Sequence, residues 1–184
     1  GELLADHAEG TAAIVRKLNV DPPAVLAAAL FVLTPRLDDP ERKIAERFGE
    51  EVARLVGDVR KLLRLGTVSL RVTQSAPADA GRDAQEERRA QIEALRKMLL
   101  AFAQDIRVVL IRLASRVQSL RYYAAAKTSP GLDVARETLD IYAPLANRLG
   151  IWQLKWELED LAFRFEDPDT YKRIAKLLDK KRVE

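Results

Sequence analysis

The stretch DIRVVLIRLASRVQSLRYYAAAK, residues 105–127, decides the fold class. Its apolar residues Ile106, Val109, Leu110, Leu113, Val117 and Leu120 return every three or four positions, the period of one face of a helix. Ser115 and Ser119 sit one turn apart on a second face with Val108, Ile111 and Tyr122, where small hydroxyls are expected to bond back to carbonyls of the preceding turn. Outward from this helix the apolar period stays close to 3.6 almost everywhere, and no alternating stretch is long enough to argue for a strand. The expected fold class is all-α, a multi-helix bundle.

The punctuation agrees with that reading. Asp21-Pro22, Asp39-Pro40 and Asp167-Pro168 each offer a carboxylate to cap the first orphan amides of a helix, followed by a proline where a missing N–H costs nothing. Helices are predicted to start at all three. Residues 66–81, rich in Ser, Thr, Ala and Gly, show no helical stripe and are predicted to be an exposed, mobile loop between two helical halves. Two long helices are expected over 82–103 and 105–127, a break at Ser129-Pro130-Gly131, and another helix ending at Gly150 as a C-cap. Beyond it, Ile151, Leu154, Leu158, Leu161 and Phe165 form one stripe, and Trp152, Trp156 and Phe163 a second seam that is expected to pack in the core. Residues 167–184 are crowded with charge around Ile174, Leu177 and Leu178, as in the start of a linker helix.

Composition narrows the classes further. A chain of 184 residues with no cysteine has no disulfide framework and no thiolate metal site, and it can bury one good core. The longest apolar run, Ala24 to Leu33, is too short to span a bilayer and reads as a helix buried in a soluble core. With no secretory leader pattern, a cytoplasmic protein is expected. Lys and Arg number 31 against 28 Asp and Glu, a net charge of +3, and the signs alternate along nearly every helix rather than gathering on one face.

Taken residue by residue, the chain is poor in chemistry. His7 is the only histidine, no glycine-rich loop is present to cradle a phosphate, and no serine is expected to have a base beside it. A metal site built on His7 would have to recruit Asp6, Glu9 or Asp38. Arg112, Arg116 and Arg121, roughly a turn apart and close to Lys127, are the residues on which a helical nucleic-acid-binding module would rest, although no reading motif accompanies them.

Several segments resemble the RelA/SpoT family, in the right order. DIRVVLIRLASR at 105–116 is similar to that family's DIRVVLIKLADR helix, and IYAPLANRLG at 141–150 to its IYAPLANRLG signature. The likeness continues through WQLKWELED at 152–160 and YKRIAKLL at 171–178, the part that looks most like the synthetase-dominant RelA branch. Phe48-Gly49, Val52-Ala53 and Leu55-Val56 follow the pattern upstream, so the resemblance spans nearly the whole chain.

In that family an HD-type helical domain uses manganese to remove pyrophosphate from the 3′ position of (p)ppGpp. The resemblance implies that its early ligand histidine is His7, that its His-Asp pair falls on Phe31 and Val32, and that its LADR aspartate falls on Ser115. The Glu-Asp pair that assists the attacking water falls on Pro35 and Arg36, and the nucleotide-contacting asparagine on Ser119. Three of four metal ligands are thus replaced, and an arginine where a carboxylate belongs inverts the charge of the site. Phe31 and Val32 are expected to fill the space as a dry, apolar pocket.

The resemblance therefore implies a degenerate HD-type hydrolase domain over residues 1–184, with no catalytic, cofactor or metal residues of its own and no expected nucleotide binding. It also implies a synthetase domain following residue 184, which would transfer pyrophosphate from ATP to GTP or GDP with Mg²⁺. Ribosome and uncharged-tRNA contacts would come from later domains still. Two readings of other classes stand beside it: an active metal-dependent (p)ppGpp 3′-pyrophosphohydrolase with unusual ligands, and the nucleic-acid-binding module.

Overall fold

Residues 1–74, 81–102 and 104–183 are described by the structure, a computed structural model; side chains are described outside 66–80, 102–103 and 182–184. Among the described residues there is no strand, and the chain is all-α. The order is α1 (Leu4–Lys17), α2 (Pro22–Leu30), a 3₁₀ turn (Phe31–Arg36), α3 (Pro40–Phe48), α4 (Glu50–Gln74), α5 (Arg82–Phe102) and α6 (Ile106–Ala125). There follow α7 (Leu132–Glu137), a π-helical turn (Thr138–Tyr142), α8 (Ala143–Arg148), α9 (Trp152–Glu166) and α10 (Pro168–Val183).

The Asp-Pro starts act by two different routes. The Asp21 carboxylate accepts from the Ala24 amide, and that of Asp167 accepts from the Thr170 amide, each satisfying one orphan donor of its helix. Asp39 also precedes a helix, but its φ of +48° turns the backbone left-handed and its side chain makes no cap. Gly150 ends α8 as anticipated: its φ is +72°, its amide donates to Asn147 O, and the next amide, of Ile151, donates to Ala146 O. Those two bonds close a Schellman motif, which needs a left-handed residue at its turn.

α6 is the central helix, packed against α1, α2, α4 and α9. Val108, Ile111, Leu113, Ala114, Val117 and Leu120 are all buried, so the two faces anticipated for this helix both lie in the core. Each large side chain so buried contributes about 1.5–3 kcal/mol. Ile106, at the helix's outer end, is 53 % exposed, an exception to the apolar stripe. At that end Arg107 binds Asp105 on its own helix, Asp21 at the start of α2 and Glu51 at the start of α4, tying three helix N-termini together.

Three expectations are corrected. Helix α4 runs on to Gln74, so the first part of the anticipated 66–81 loop is helical; residues 67–74 hold no glycine or proline to stop the ladder. The part of that loop at 75–80 lies outside the described residues. The run Ala24 to Leu33 is not one buried helix: it ends at Leu30 and tightens into the 3₁₀ turn, where the Thr34 hydroxyl bonds Phe31 O and Pro35 has no N–H to continue. Trp152 and Trp156 do not pack in the core, being 53 % and 63 % exposed, because Leu154, Leu158 and Leu161 take the buried face of α9.

α10 continues from α9 as anticipated, with Ile174, Leu177 and Leu178 exposed along one side. Among the described residues no helix is long and apolar enough to cross a membrane.

Candidate functional site

His7, Phe31 and Ser115, read as family site positions, come together between α1, the end of α2 and the middle of α6. His7 lies in the second turn's approach of α1 with its side chain only 12 % exposed. Its Nδ1 is 2.9 Å from a carboxylate oxygen of Glu2, and its Nε2 is 2.8 Å from Ser115 Oγ. A carboxylate only accepts, so Nδ1 carries the proton facing Glu2 and, in the neutral ring, Nε2 accepts from the serine hydroxyl. The other oxygen of Glu2 accepts from Gln118 Nε2 at 2.7 Å.

Local sequence makes this network possible. His7 sits three residues into α1, which points its ring at the neighbouring helix, while Ser115 and Gln118 stand three apart on one face of α6. Gln118 lies across α1 at Gly10, where a Cβ would fall 2.1 Å from its Oε1. The Phe31 ring, 4 % exposed, closes the site edge-on to His7 with centroids 6.4 Å apart.

Two expectations fail here. Ser115 does not bond back to a carbonyl of the preceding turn; its hydroxyl reaches across to another helix. It also does have a base beside it. Glu2, His7 and Ser115 stand in the carboxylate–imidazole–hydroxyl order that activates a nucleophile. Yet Ser115 is 4 % exposed in the interior of α6, where the nearby amides are engaged in the helical ladder and cannot hold an oxyanion. The three residues form a polar clasp between α1 and α6.

The remaining family positions do not join the cluster on equal terms. Val32 is half-buried against the core, short of the full burial anticipated, because the 3₁₀ turn swings it away while Phe31 turns inward. Pro35 and Arg36 are exposed, and Ser119 is half-buried one turn beyond Ser115. Asp6, Glu9 and Asp38, the carboxylates considered for a rebuilt metal site, are exposed; the partner of His7 is Glu2, which sequence spacing did not single out. Among the described residues no group of three or more His, Cys, Asp and Glu side chains could hold a metal ion. The manganese that the resemblance implies does not fit these residues: both ring nitrogens of His7 are engaged by Glu2 and Ser115, and the Phe31 ring closes the site beside them.

The cations considered for nucleic acid are dispersed as well. Arg112 and Arg116 stack on Tyr142, 4.9 and 4.7 Å from its centroid. Arg116 is buried, pairs with buried Glu137 and bonds Thr138 and the Val134 carbonyl. Burial first, then the neighbouring charge of Arg112, pushes the Arg116 guanidinium below its usual value, against the opposing pull of Tyr142 and Glu137. Arg121 is bound to Glu157. These side chains hold α6 to its neighbours instead of presenting one phosphate-facing surface.

Comparison with known proteins places these observations in a family. A family model described as an HD domain matches residues 1–152. A probable guanosine-3′,5′-bis(diphosphate) 3′-pyrophosphohydrolase of Synechocystis is 38 % identical over 99 % of this chain and 22 % of its own length. The guanosine-3′,5′-bis(diphosphate) 3′-pyrophosphohydrolase of Haemophilus influenzae is 38 % identical over 97 % of this chain and 24 % of its own. The GTP pyrophosphokinase of Escherichia coli is 39 % identical over 93 % of this chain and 22 % of its own. The chain thus spans about a quarter or less of these relatives, and identity alone does not divide those named pyrophosphohydrolases from the one named a GTP pyrophosphokinase.

Proposed function

Because this chain belongs to the RelA/SpoT family of HD-domain proteins, we propose that it is a pseudo-hydrolase: an HD domain without hydrolase activity that serves a structural and regulatory role in a GTP pyrophosphokinase. The observation that carries the proposal is the bond between His7 Nε2 and Ser115 Oγ. A metal would need that nitrogen and a carboxylate at that place in α6; here a neutral hydroxyl takes up the nitrogen, and Phe31 fills the adjoining space. Pro35 and Arg36 offer no carboxylate to assist water, and the one carboxylate of the cluster, Glu2, is held by His7 and Gln118.

On this reading the unit extends over residues 1–184, with α10 leading toward a synthetase domain that makes (p)ppGpp from ATP and GTP or GDP, its nucleotides carried with Mg²⁺. The exposed apolar side chains of Trp152, Trp156, Ile174, Leu177 and Leu178 suit packing against such a neighbour. The whole protein would act in the cytoplasm, with ribosome and uncharged tRNA as partners of its later domains.

The test is direct. The purified chain is titrated with Mn²⁺ by calorimetry and assayed for pyrophosphate release from ppGpp. The expected result is neither stoichiometric metal nor turnover. Mn²⁺-dependent release that His7→Ala abolishes would overturn the proposal.

A further inference from the structure

At the far end of α6 from Arg107, a cleft of about 550 Å³ opens between the turn after Ala125 and the junction of α9 with α10. Its lining includes three cations, Lys127, Arg164 and Lys172, and three aromatic rings, Tyr123, Phe165 and Tyr171. We propose that this cleft is a binding site for a nucleoside phosphate, with the rings receiving the base and the cations the phosphates.

Charge and shape both lead to that ligand class. Arg107, Arg116 and Arg121 are each paired with a carboxylate, whereas among the described residues Lys127, Arg164 and Lys172 are in no ion pair. Three uncompensated cations in one concavity attract a multiply charged anion. Of the acidic residues beside the lining in sequence, Asp167 accepts from the Thr170 amide at 3.0 Å and Glu166 lies 4.0 Å from Arg136, outside the cleft's cation set. Arg164 lies 5.9 Å from the centre of the Tyr171 ring, and Phe163 meets that ring edge-on at 6.2 Å, so the aromatic wall is braced from behind. Flat rings beside cations match a base joined to phosphate, and the volume lies within the range of roughly 300–1,000 Å³ usual for small-ligand sites. A single pocket of this size holds one mononucleotide, which favours that ligand over a strand of RNA.

Lys127 supplies an independent observation. The Lys127 amide donates to Ala124 O and the Thr128 amide to Tyr123 O, a Schellman closure like that at Gly150. The residue at its turn has φ +53°, a left-handed conformation in which glycine is the ordinary occupant. Lysine holds that position at a steric disadvantage, and its side chain lines the cleft. A left-handed lysine beside a charged pocket fits a side chain that serves a ligand.

The proposal is independent of the pseudo-hydrolase reading, and it is tested on the 184-residue chain by calorimetry with GDP, ADP, inorganic pyrophosphate and a short single-stranded RNA. Saturable one-to-one binding of GDP or ADP is expected, at least tenfold tighter than pyrophosphate. Lys127→Gly and Lys172→Ala should each weaken it tenfold or more, while Lys127→Gly melts at or above the parent temperature because it relieves the backbone. A folded Lys127→Gly protein that binds as the parent does would overturn the proposal, as would no saturable nucleotide binding, pyrophosphate binding as tight as GDP, or binding of RNA alone.

Discussion

His7 Nε2 and Ser115 Oγ lie 2.8 Å apart although 108 residues separate them along the chain. The bond fastens α1 to α6, and it is a buried polar contact whose loss leaves an imidazole nitrogen without a partner. Ser115→Ala should therefore cost about 1–3 kcal/mol. His7→Ala, which also removes the Glu2 bond and the Phe31 contact, should cost more. A double-mutant cycle by urea denaturation should give a coupling of about 1 kcal/mol; additive single costs would mean that the two side chains do not interact in solution.

Phe31 and Val32, proposed to stand at the family's His-Asp positions, differ in burial, so their substitutions should differ too. Phe31→Ala is expected to cost about 3–5 kcal/mol. Val32→Asp should cost about 1–2 kcal/mol, less than a fully dry position would impose, since Val32 is only half-buried. The combined Phe31→His, Val32→Asp, Ser115→Asp variant adds three ligands to His7 and so completes the proposed set of four, and Mn²⁺ should raise its melting temperature by binding only the folded state. Thermal melts with and without Mn²⁺ check all three; a triple variant indifferent to the metal would mean that the positions do not converge as inferred.

The Arg116–Glu137 pair is buried on both sides, at 6 % and 1 % exposure. Truncating one partner strands the other's charge, so Glu137→Ala should cost about 3–5 kcal/mol. At roughly 2–4 °C per kcal/mol for a chain of this size, that corresponds to a fall in Tm on the order of 10 °C. A change of one or two degrees in a calorimetric scan would show that the site rearranges or admits water.

Acid should act through Asp105. The side-chain bond from Arg107 comes first among the causes that lower its pKa from 3.8 to about 2, with the Arg107 amide and Arg54 adding to it against the cost of burial. A carboxylate whose pKa is depressed by folding stabilises the native state above its unfolded pKa, and that contribution is lost as pH falls through the folded value. The window is therefore about pH 4 down to pH 2. Asp105→Asn keeps a capping oxygen for the Arg107 amide and removes the charge. It should be less stable than the parent by about 1–2 kcal/mol near neutrality, with the difference vanishing by about pH 2. A difference that stays constant across that range would assign the effect to packing rather than charge.

Trp152 and Trp156 are the only tryptophans, and both are largely exposed. Their fluorescence should be quenched readily by iodide in the native state, and Trp156→Ala should change stability by no more than about 0.5 kcal/mol. Leu158→Ala, two residues on and fully buried, should cost about 2–5 kcal/mol. Strong protection from iodide would indicate that another surface covers the pair in solution.

Much of the fold could be read along the chain because helices are local. Every backbone bond of α6 joins residues four apart, and the apolar positions that bury it recur within the same span. Asp21, Asp167 and Gly150 mark helix ends through contacts no more than five residues long. The IYAPLANRLG signature pointed to the family for the same reason: it is a property of residues in order.

What only the tertiary structure decided is which distant side chains meet. Glu2 as the partner of His7, Ser115 bonded across to α1, Arg112 and Arg116 stacked on Tyr142, and the cleft joining Lys127 to Arg164 and Lys172 all depend on how helices far apart in sequence cross. The same holds for the tryptophans of α9, whose apolar seam could face core or solvent until the packing of Leu154, Leu158 and Leu161 chose the side. Periodicity specifies that a helix has an apolar face; the rotation at which it docks follows from the shapes of its neighbours, which no local pattern contains.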